Sequence, residues 1–147
     1  MRIAVGADHG GYQLKQEIAE YLIAQGHQVQ DYGIHSAEPA DYPDVAALVA
    51  RAVAAGEAER AILICGTGIG MSLAANKIPG IRAAVCTDCY MARMAREHND
   101  AQILCLGGRV LGTGSALEIV QTFLNSEFSG GRHARRVDKI MALEGKE

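Results

Sequence analysis

The chain has 147 residues, of which 49% are hydrophobic and 21% are charged, and its formal net charge is −3. This length supports one hydrophobic core better than two, so we expect a single domain over residues 1–147. The slightly negative charge and the absence of a long run of Lys or Arg argue against nucleic acid as a partner.

No stretch approaches the roughly 20 apolar residues of a membrane span, and the N-terminus shows no signal-peptide pattern. We therefore expect a cytoplasmic protein with no membrane partner. The cysteines are too few for a disulfide framework. Cys86 and Cys89 form a C-x-x-C pair, which could be a redox dithiol or half of a zinc site. Since no second ligand pair accompanies them, we interpret both as packing residues and expect no metal.

Two strand–loop–helix units open the chain. The first has a β-leaning run at Arg2–Gly6, a polar loop at Asp8–Gly11 and a helix whose apolar residues share one face. The second has a weak strand at His27–Asp31, a polar loop to Pro43 and another amphipathic helix. Pro43 suits the first turn of that helix because its missing N–H has no partner there.

A third unit follows, and its pattern is the clearest. Ala61–Ile64 is an unbroken apolar run, which is typical of a strand buried on both faces of a parallel sheet. It continues directly into the glycine-rich segment Cys65–Ser72 and a short alanine-rich helix.

The second half of the chain predicts two more buried strands and three helices. The strands are Ile81–Val85 and Ile103–Leu106, with a helix from about Tyr90 to Glu97 between them. Thr113 or Ser115 is expected to cap the next helix. The last helix follows a glycine pair and places Val137, Ile140 and Met141 on one stripe.

Strands that alternate with helices predict an α/β fold. We expect a three-layer α/β/α, Rossmann-like domain with five parallel strands in the flavodoxin-like order 2-1-3-4-5, followed by a C-terminal helix. In such sheets ligands bind at the carboxyl ends of the strands, where the strand order reverses. That crevice lies between strands 1 and 3, so the Asp8-His9 loop should face the glycine-rich loop.

The glycine-rich loop from Gly66 to Ser72 leaves a strand and opens a helix, so its backbone N–H groups can converge on an anion. It lacks the Lys of a Walker A loop, and its Gly66-x-Gly68-x-Gly70 spacing is not that of a dinucleotide fold. NAD is therefore a poor cofactor candidate. By itself, the loop could equally be a tight turn.

Cys65 and His98 are the candidate proton-transfer groups. A thiol at a strand end beside several N–H donors should have a lowered pKa, which makes its thiolate available as a base. The alternative is a buried structural cysteine. His98 could act as an acid near neutral pH, or could be an ordinary surface residue. Arg109, Arg132 and Arg136 could bind a phosphate through forked hydrogen bonds, or could form a solvated basic face.

A resemblance that covers nearly the whole chain favours the functional interpretations. The chain resembles the ribose/galactose isomerase family, and within it the type B ribose-phosphate isomerases, in the order and spacing of its motifs. The matching segments are Gly6–Lys15, Asp41–Pro43, Ile64–Gly70, Ala74–Lys77, Gly80–Ala83, His98–Asp100, Gly130–His133 and Arg136. The resemblance implies a role in the pentose phosphate pathway, no cofactor, and a homodimer or a dimer of dimers with active sites at the subunit interface.

The resemblance also implies roles for individual residues. Cys65 matches the proton-abstracting base and His98 the ring-opening acid, while Asp8 or Thr67 is expected to move the hydroxyl proton between O1 and O2. Some family members carry a Glu base at the position of Met71 and lack the cysteine. The implied substrate contacts are Asp8, His9, Tyr42, Gly66, Thr67, Gly68, Ile69, Gly70, Ser72, Asn99, Arg109, Arg132 and Arg136.

The predicted function is the interconversion of D-ribose 5-phosphate and D-ribulose 5-phosphate through a cis-enediolate, without metal. The nearest alternative is the same chemistry on a hexose 6-phosphate such as allose or galactose 6-phosphate. A non-catalytic phosphate- or nucleotide-binding module of flavodoxin-like fold would not need Cys65 and His98 together. A flavin electron carrier would need more aromatic residues than this chain offers.

Overall fold

A computed structural model describes residues 1–145, in which five parallel strands form one sheet. The elements in chain order are β1 (Arg2–Ala7), α1 (Tyr12–Ala24), β2 (Gln28–Asp31), α2 (Tyr42–Ala54), β3 (Arg60–Cys65), α3 (Ile69–Ala75), β4 (Ala83–Val85), α4 (Cys89–Glu97), β5 (Ile103–Gly107), α5 (Thr113–Leu124) and α6 (Arg132–Met141). The described helices include none that is both long and apolar enough to span a bilayer.

The sheet has the order β2-β1-β3-β5-β4. The α/β class and the five parallel strands are confirmed, but the predicted order of the last two strands is wrong. β4 has only three residues, all half-buried, whereas every residue of β5 is buried. A short strand suits the edge of a sheet, while a fully apolar strand is best covered on both sides. As a result β1, β3 and β5 are neighbours, and their carboxyl ends meet.

Helices cover both faces of the sheet and enclose two apolar clusters. Successive side chains of a strand point to opposite faces, so Ile62 and Ile64 pack with α1, α4 and α5. Leu63 and Cys65 point the other way and pack with α2 and α3. The three-layer arrangement is therefore as predicted, and it turns the Cys65 side chain toward α3.

The ends of several elements differ from the sequence prediction. Pro43 lies in the first turn of α2, as expected. Neither Thr113 nor Ser115 caps α5, because Gly112 occupies the N-cap position without a side-chain bond. The Thr113 hydroxyl instead donates to Glu17 Oε2 on α1 at 2.7 Å. On α6 only Val137 of the predicted stripe is buried.

Candidate active site

Three loops meet at the carboxyl ends of β1, β3 and β5. The Asp8 amide donates to the Ile64 carbonyl at 3.2 Å, which joins the first loop to the third strand. The Gly108 amide donates to the Cys65 carbonyl at 2.8 Å, and the Arg109 amide donates to the Gly66 carbonyl at 3.0 Å. The loops after β1 and β3 meet as predicted, and the loop after β5 joins them because of the observed strand order. We call this meeting point of the three loops the Cys65 cleft.

Cys65 is the last residue of β3, and it is 5% exposed. Its sulfur accepts a hydrogen bond from the Gly68 amide at 3.1 Å. Gly68 has a φ of 83°, and a β-carbon there would lie 2.9 Å from the Leu106 carbonyl carbon. Both the backbone conformation and the lack of space require glycine at this position. The tight turn thus directs a backbone N–H at the sulfur.

Two of the other three thiols are unsuited to ionisation. Burial, together with the Asp88 carboxylate, raises the pKa of Cys86 to about 12. Burial also raises the pKa of Cys105 well above its ordinary value of 9.0. Cys89 is half-buried at the start of α4, and all four cysteines are free. The structure supports the interpretation of Cys86 as a packing residue rather than a redox partner.

Asp8 and His9 lie in the first loop, next to the glycine-rich loop. Asp8 is buried, and its Oδ1 accepts a hydrogen bond from the Gly10 amide at 2.9 Å. The other carboxylate oxygen, Oδ2, does not take part in this bond. The Nδ1 atom of His9 accepts the Ala40 amide at 3.2 Å. In the neutral ring the proton therefore resides on Nε2, where it can be donated to an anion.

Tyr42 and Arg109 border the glycine-rich loop from two sides. The ring of Tyr42 packs against Gly70 so closely that a β-carbon there would lie 2.5 Å from Cε1. A β-carbon on Gly66 would lie 3.4 Å from Nη1 of Arg109, so this guanidinium is next to the loop. The structure therefore brings both side chains to the Cys65 cleft.

Within the loop, side chains and amides bond to one another. The Thr67 hydroxyl oxygen accepts the Ile69 amide at 3.2 Å. The Ser72 hydroxyl donates to the Ile69 carbonyl at 2.8 Å. The amides of Gly68 and Ile69 thus have acceptors inside the protein, which reduces the number of loop amides that can face a ligand.

The remaining predicted site residues lie elsewhere. His98 follows α4, which returns the chain to the amino end of β5, whereas Cys65 lies at the carboxyl end of β3. At about 3.3 Å per residue, the six residues of β3 separate the two ends of the sheet by roughly 16 Å. Asn99 is next to His98, and Arg132 and Arg136 lie on α6. One copy of the chain therefore does not bring the two groups together.

His133 joins α6 to the end of α4, and the sequence motifs assigned it no role. Its ring stacks on that of His98 with the centroids 4.0 Å apart and the planes 9° from parallel. Partial burial lowers the pKa of His133 below its ordinary 6.5, and the charges of His98, Arg132 and Arg136 lower it further. His133 directly follows Arg132 in the Gly130–His133 motif, and this position is the sequence feature that could have indicated a role for it.

Comparison with known proteins places this arrangement in a family. A model described as ribose/galactose isomerase matches residues 3–140. The chain belongs to the ribose/galactose isomerase family. It is 50% identical over 143 residues to ribose-5-phosphate isomerase B of Escherichia coli, with 97% of this chain and 96% of that protein covered.

Two further members of the ribose/galactose isomerase family show the range of the resemblance. The D-erythrulose-4-phosphate isomerase of Pectobacterium atrosepticum is 47% identical over 148 residues, covering 100% of this chain and 97% of that protein. The solved structure of Clostridium thermocellum ribose-5-phosphate isomerase B superposes with a TM-score of 0.98 at 61% identity, covering 99% of each chain. The present chain is accordingly an enzyme of the sugar-phosphate isomerase class.

Met71 lies at the position where the sequence resemblance predicts a Glu in family members that lack the cysteine. Its side chain is fully buried, in the same apolar cluster as Cys65. Within residues 1–145, no three His, Cys, Asp or Glu side chains lie together as a potential metal site.

Proposed function

We propose that the chain interconverts D-ribose 5-phosphate and D-ribulose 5-phosphate through a cis-enediolate, with the Cys65 thiolate as the base. The observation that carries this proposal is the hydrogen bond from the Gly68 amide to the Cys65 sulfur in a cleft that also holds Asp8, His9 and Arg109. The names of the relatives in Escherichia coli and Clostridium thermocellum support the choice of a pentose phosphate.

We infer that each active site is completed by a second copy of the chain. One copy supplies the Cys65 cleft, and its partner supplies the residues at the other end of the sheet. This division follows from the separation of Cys65 and His98 along the strands, which no side chain can bridge. The residues assigned to the partner are His98, Asn99, Arg132 and Arg136.

Apolar side chains beside the cleft support this arrangement. Ile69 and Leu73 lie four residues apart on α3, so they share one face of that helix, and they are 53% and 64% exposed. Tyr90 at the start of α4 is equally exposed. A second copy that approaches the glycine-rich loop would remove these side chains from water.

The proposed reaction begins with binding and ring opening. Arg109 and His9 of one copy, together with Arg132 and Arg136 of the other, hold the phosphate dianion through charge-assisted hydrogen bonds. His98 donates a proton to the ring oxygen O4 while water accepts the proton of the C1 hydroxyl, so the C1–O4 bond breaks, C1=O forms and the open-chain aldehyde results.

Proton transfer between C2 and C1 follows. The Cys65 thiolate takes the proton from C2, the electron pair of that bond forms C1=C2, and the carbonyl electrons move to O1. Loop amides of Gly66, Thr67 and Gly70 stabilise the negative oxygen, each such donor being worth roughly 2.7–4 kcal/mol. Asp8 or Thr67 transfers the O2 proton to O1. The Cys65 thiol then returns its proton to C1, which leaves the ketose and the thiolate.

Other substrates would use the same chemistry. A hexose 6-phosphate is one carbon longer, and the Pectobacterium relative is named for a four-carbon ketose phosphate. A comparison of kcat/KM for ribose 5-phosphate, erythrose 4-phosphate, allose 6-phosphate and galactose 6-phosphate, with and without EDTA, tests the proposal. We expect the highest value for ribose 5-phosphate and no effect of EDTA. A preference for another sugar would reassign the substrate, and loss of activity in EDTA would contradict the metal-free mechanism.

A further inference from the structure

We propose that Arg82, Asp100 and Arg96 form a clamp that positions His98 and Asn99 for ring opening. The proposal rests on the proposed function, because it assigns these residues to the ring-opening step. None of the three belongs to the expected substrate contacts, so they are positioning residues. We call these three side chains the arginine clamp.

Asp100 ends the turn that carries His98 and Asn99. Its φ is 48°, and among residues 1–145 it is the one non-glycine residue with a positive φ. Asp tolerates this conformation better than most residues, but it still needs support from its surroundings. The carboxylate has that support on both sides, since Oδ1 accepts from Arg96 Nη1 at 3.0 Å and Oδ2 lies 3.5 Å from Arg82 Nη2.

Arg82 also holds the backbone of the same turn. Its Nε donates to the Asn99 carbonyl at 3.1 Å, and its Nη2 donates to the Asp100 carbonyl at 2.8 Å. The third nitrogen, Nη1, contacts the Met141 sulfur on α6 at 3.3 Å. One planar guanidinium therefore connects the turn after α4 to α6, which are the two segments that carry the expected partner residues.

Both arginines form hydrogen bonds with residues that lie just before β5. The Gln102 side chain accepts the Arg82 amide at 2.7 Å and donates to the Gly80 carbonyl at 2.8 Å. Arg96 is 3% exposed and donates to the Ala101 carbonyl at 2.8 Å. The clamp thus attaches the turn to residues beside the sheet and not to a surface loop.

The consequence for the reaction is geometric. The clamp is only partly buried, since the side chains of Arg96, Arg82 and Asp100 are 3%, 16% and 35% exposed, and ion pairs of this kind add little to stability. It can, however, fix one orientation of the turn, and His98 is only two residues from Asp100. A displacement of about 1 Å in a reacting group can lower the rate roughly 10²-fold. We therefore expect loss of the clamp to slow ring opening more than it weakens binding or folding.

The test uses Asp100→Asn and Arg82→Gln with Arg93→Gln as the matched control. Asn also tolerates a positive φ, but its amide group would face one of the two guanidinium groups. Arg93 lies on the same helix as Arg96, is 51% exposed, and contacts Glu97 at 3.8 Å and the Tyr90 ring at 5.5 Å from its centroid rather than the clamp. Each variant is assayed with ribose 5-phosphate, which must be opened, and with erythrose 4-phosphate, which has no hydroxyl free to close a five-membered ring. Thermal unfolding confirms that each variant is folded.

We expect both clamp variants to lose at least about tenfold in kcat for ribose 5-phosphate and less than about twofold for erythrose 4-phosphate, with Arg93→Gln unchanged. A second readout needs ribose 5-phosphate alone. Without ring opening on the enzyme, the rate is limited by spontaneous opening in solution, so it should level off as the concentration of the variant rises. Equal losses on both sugars, or a rate that stays proportional to variant concentration, would overturn the clamp proposal.

His98→Asn separates this proposal from the function on which it rests. If His98→Asn loses ring opening while the clamp variants keep it, the clamp proposal is wrong and the proposed function stands. If His98→Asn itself opens ribose 5-phosphate at the normal rate, the ring-opening assignment of the proposed function is wrong.

Discussion

Cys65 differs from Cys86 and Cys105 in the surroundings of its sulfur. The Cys65 sulfur faces a backbone N–H at the edge of a cleft, whereas burial raises the pKa values of Cys86 and Cys105. A thiolate and not a thiol is the reactive form of cysteine. Iodoacetamide should therefore alkylate Cys65 before Cys86 and Cys105, and substrate should protect it.

Replacement of Cys65 by Ser tests its role as the base. The change alters one atom at the end of a buried strand and leaves the glycine-rich loop intact, so the melting temperature should barely move. A serine hydroxyl is a far poorer base, and kcat should fall by about 10²–10⁴-fold or more. Phosphate-bearing inhibitors should still bind. A near-normal kcat would remove Cys65 from the mechanism and make Asp8 the next candidate.

The stacked pair His98 and His133 predicts a specific pH dependence of stability. Because the pKa of His133 in the folded protein lies below its ordinary 6.5, the unfolded chain binds a proton more readily. This contribution to stability is therefore present above pH 6.5 and is lost as the pH falls through the lower, folded value.

His133→Phe keeps an aromatic ring on His98 but cannot titrate. Its melting temperature should fall less than that of the wild type between pH 7 and pH 5, the window that spans the histidine titration. His35→Gln, which changes an exposed histidine in the loop after β2, should follow the wild type. If the melting temperatures of wild type and His133→Phe change with pH in parallel, His133 does not contribute the predicted pH dependence of stability.

At the scale of elements, α2 and α3 meet beside the glycine-rich loop, where the Tyr42 ring packs on Gly70. Gly70 leaves no space for a β-carbon beside the Tyr42 ring. Gly70→Ala should push that ring away and lower kcat/KM, with overpacking costing about 1–3 kcal/mol of stability if the ring cannot move freely. Gly114→Ala is the matched control, since open space surrounds Gly114 near the start of α5.

A double variant identifies the cause of the Gly70→Ala effect. If the alanine acts through the tyrosine, Gly70→Ala in a Tyr42→Ala background should cause no further loss of kcat/KM. Additive losses would show that the alanine disturbs the loop itself and not the ring.

The elements themselves were largely predictable, because their signals are local. The unbroken apolar run Ala61–Ile64 indicated a buried strand, and the glycines after it indicated the loop that surrounds Cys65. The order of the last two strands was not predictable from adjacency, since sequential strands are neighbours only as a tendency. Only the short length and partial exposure of β4 show why β5 takes the inner position.

The residue types of the candidate site were predictable, and the family resemblance implied a site at the subunit interface, but the sequence did not show which residues each copy supplies. The sequence motifs include both Cys65 and His98, but the order of residues in the sequence does not give the distance between them in the folded chain. The three-dimensional path of α4 separates them, because each crossover helix returns the chain to the amino end of the sheet. His133 and the arginine clamp were not predictable, since their contacts are between segments distant in sequence.

At the scale of the whole molecule, the proposed mechanism depends on a site shared between two copies of the chain. Two-fold symmetry would give each dimer two equivalent sites, each with Cys65 from one copy and His98 from the other. A dimer of one Cys65→Ser chain and one His98→Asn chain would then have one site with both defects and one intact site. This distribution of defects is particular to a shared site.

Mixing the two inactive variants measures this directly. Cys65→Ser and His98→Asn chains are unfolded together, refolded as an equal mixture and assayed with ribose 5-phosphate against each variant refolded alone. Random pairing makes half of the dimers mixed, so we predict recovery of about a quarter of the wild-type activity. A mixture that pairs into mixed dimers and stays as inactive as its components would contradict the shared site.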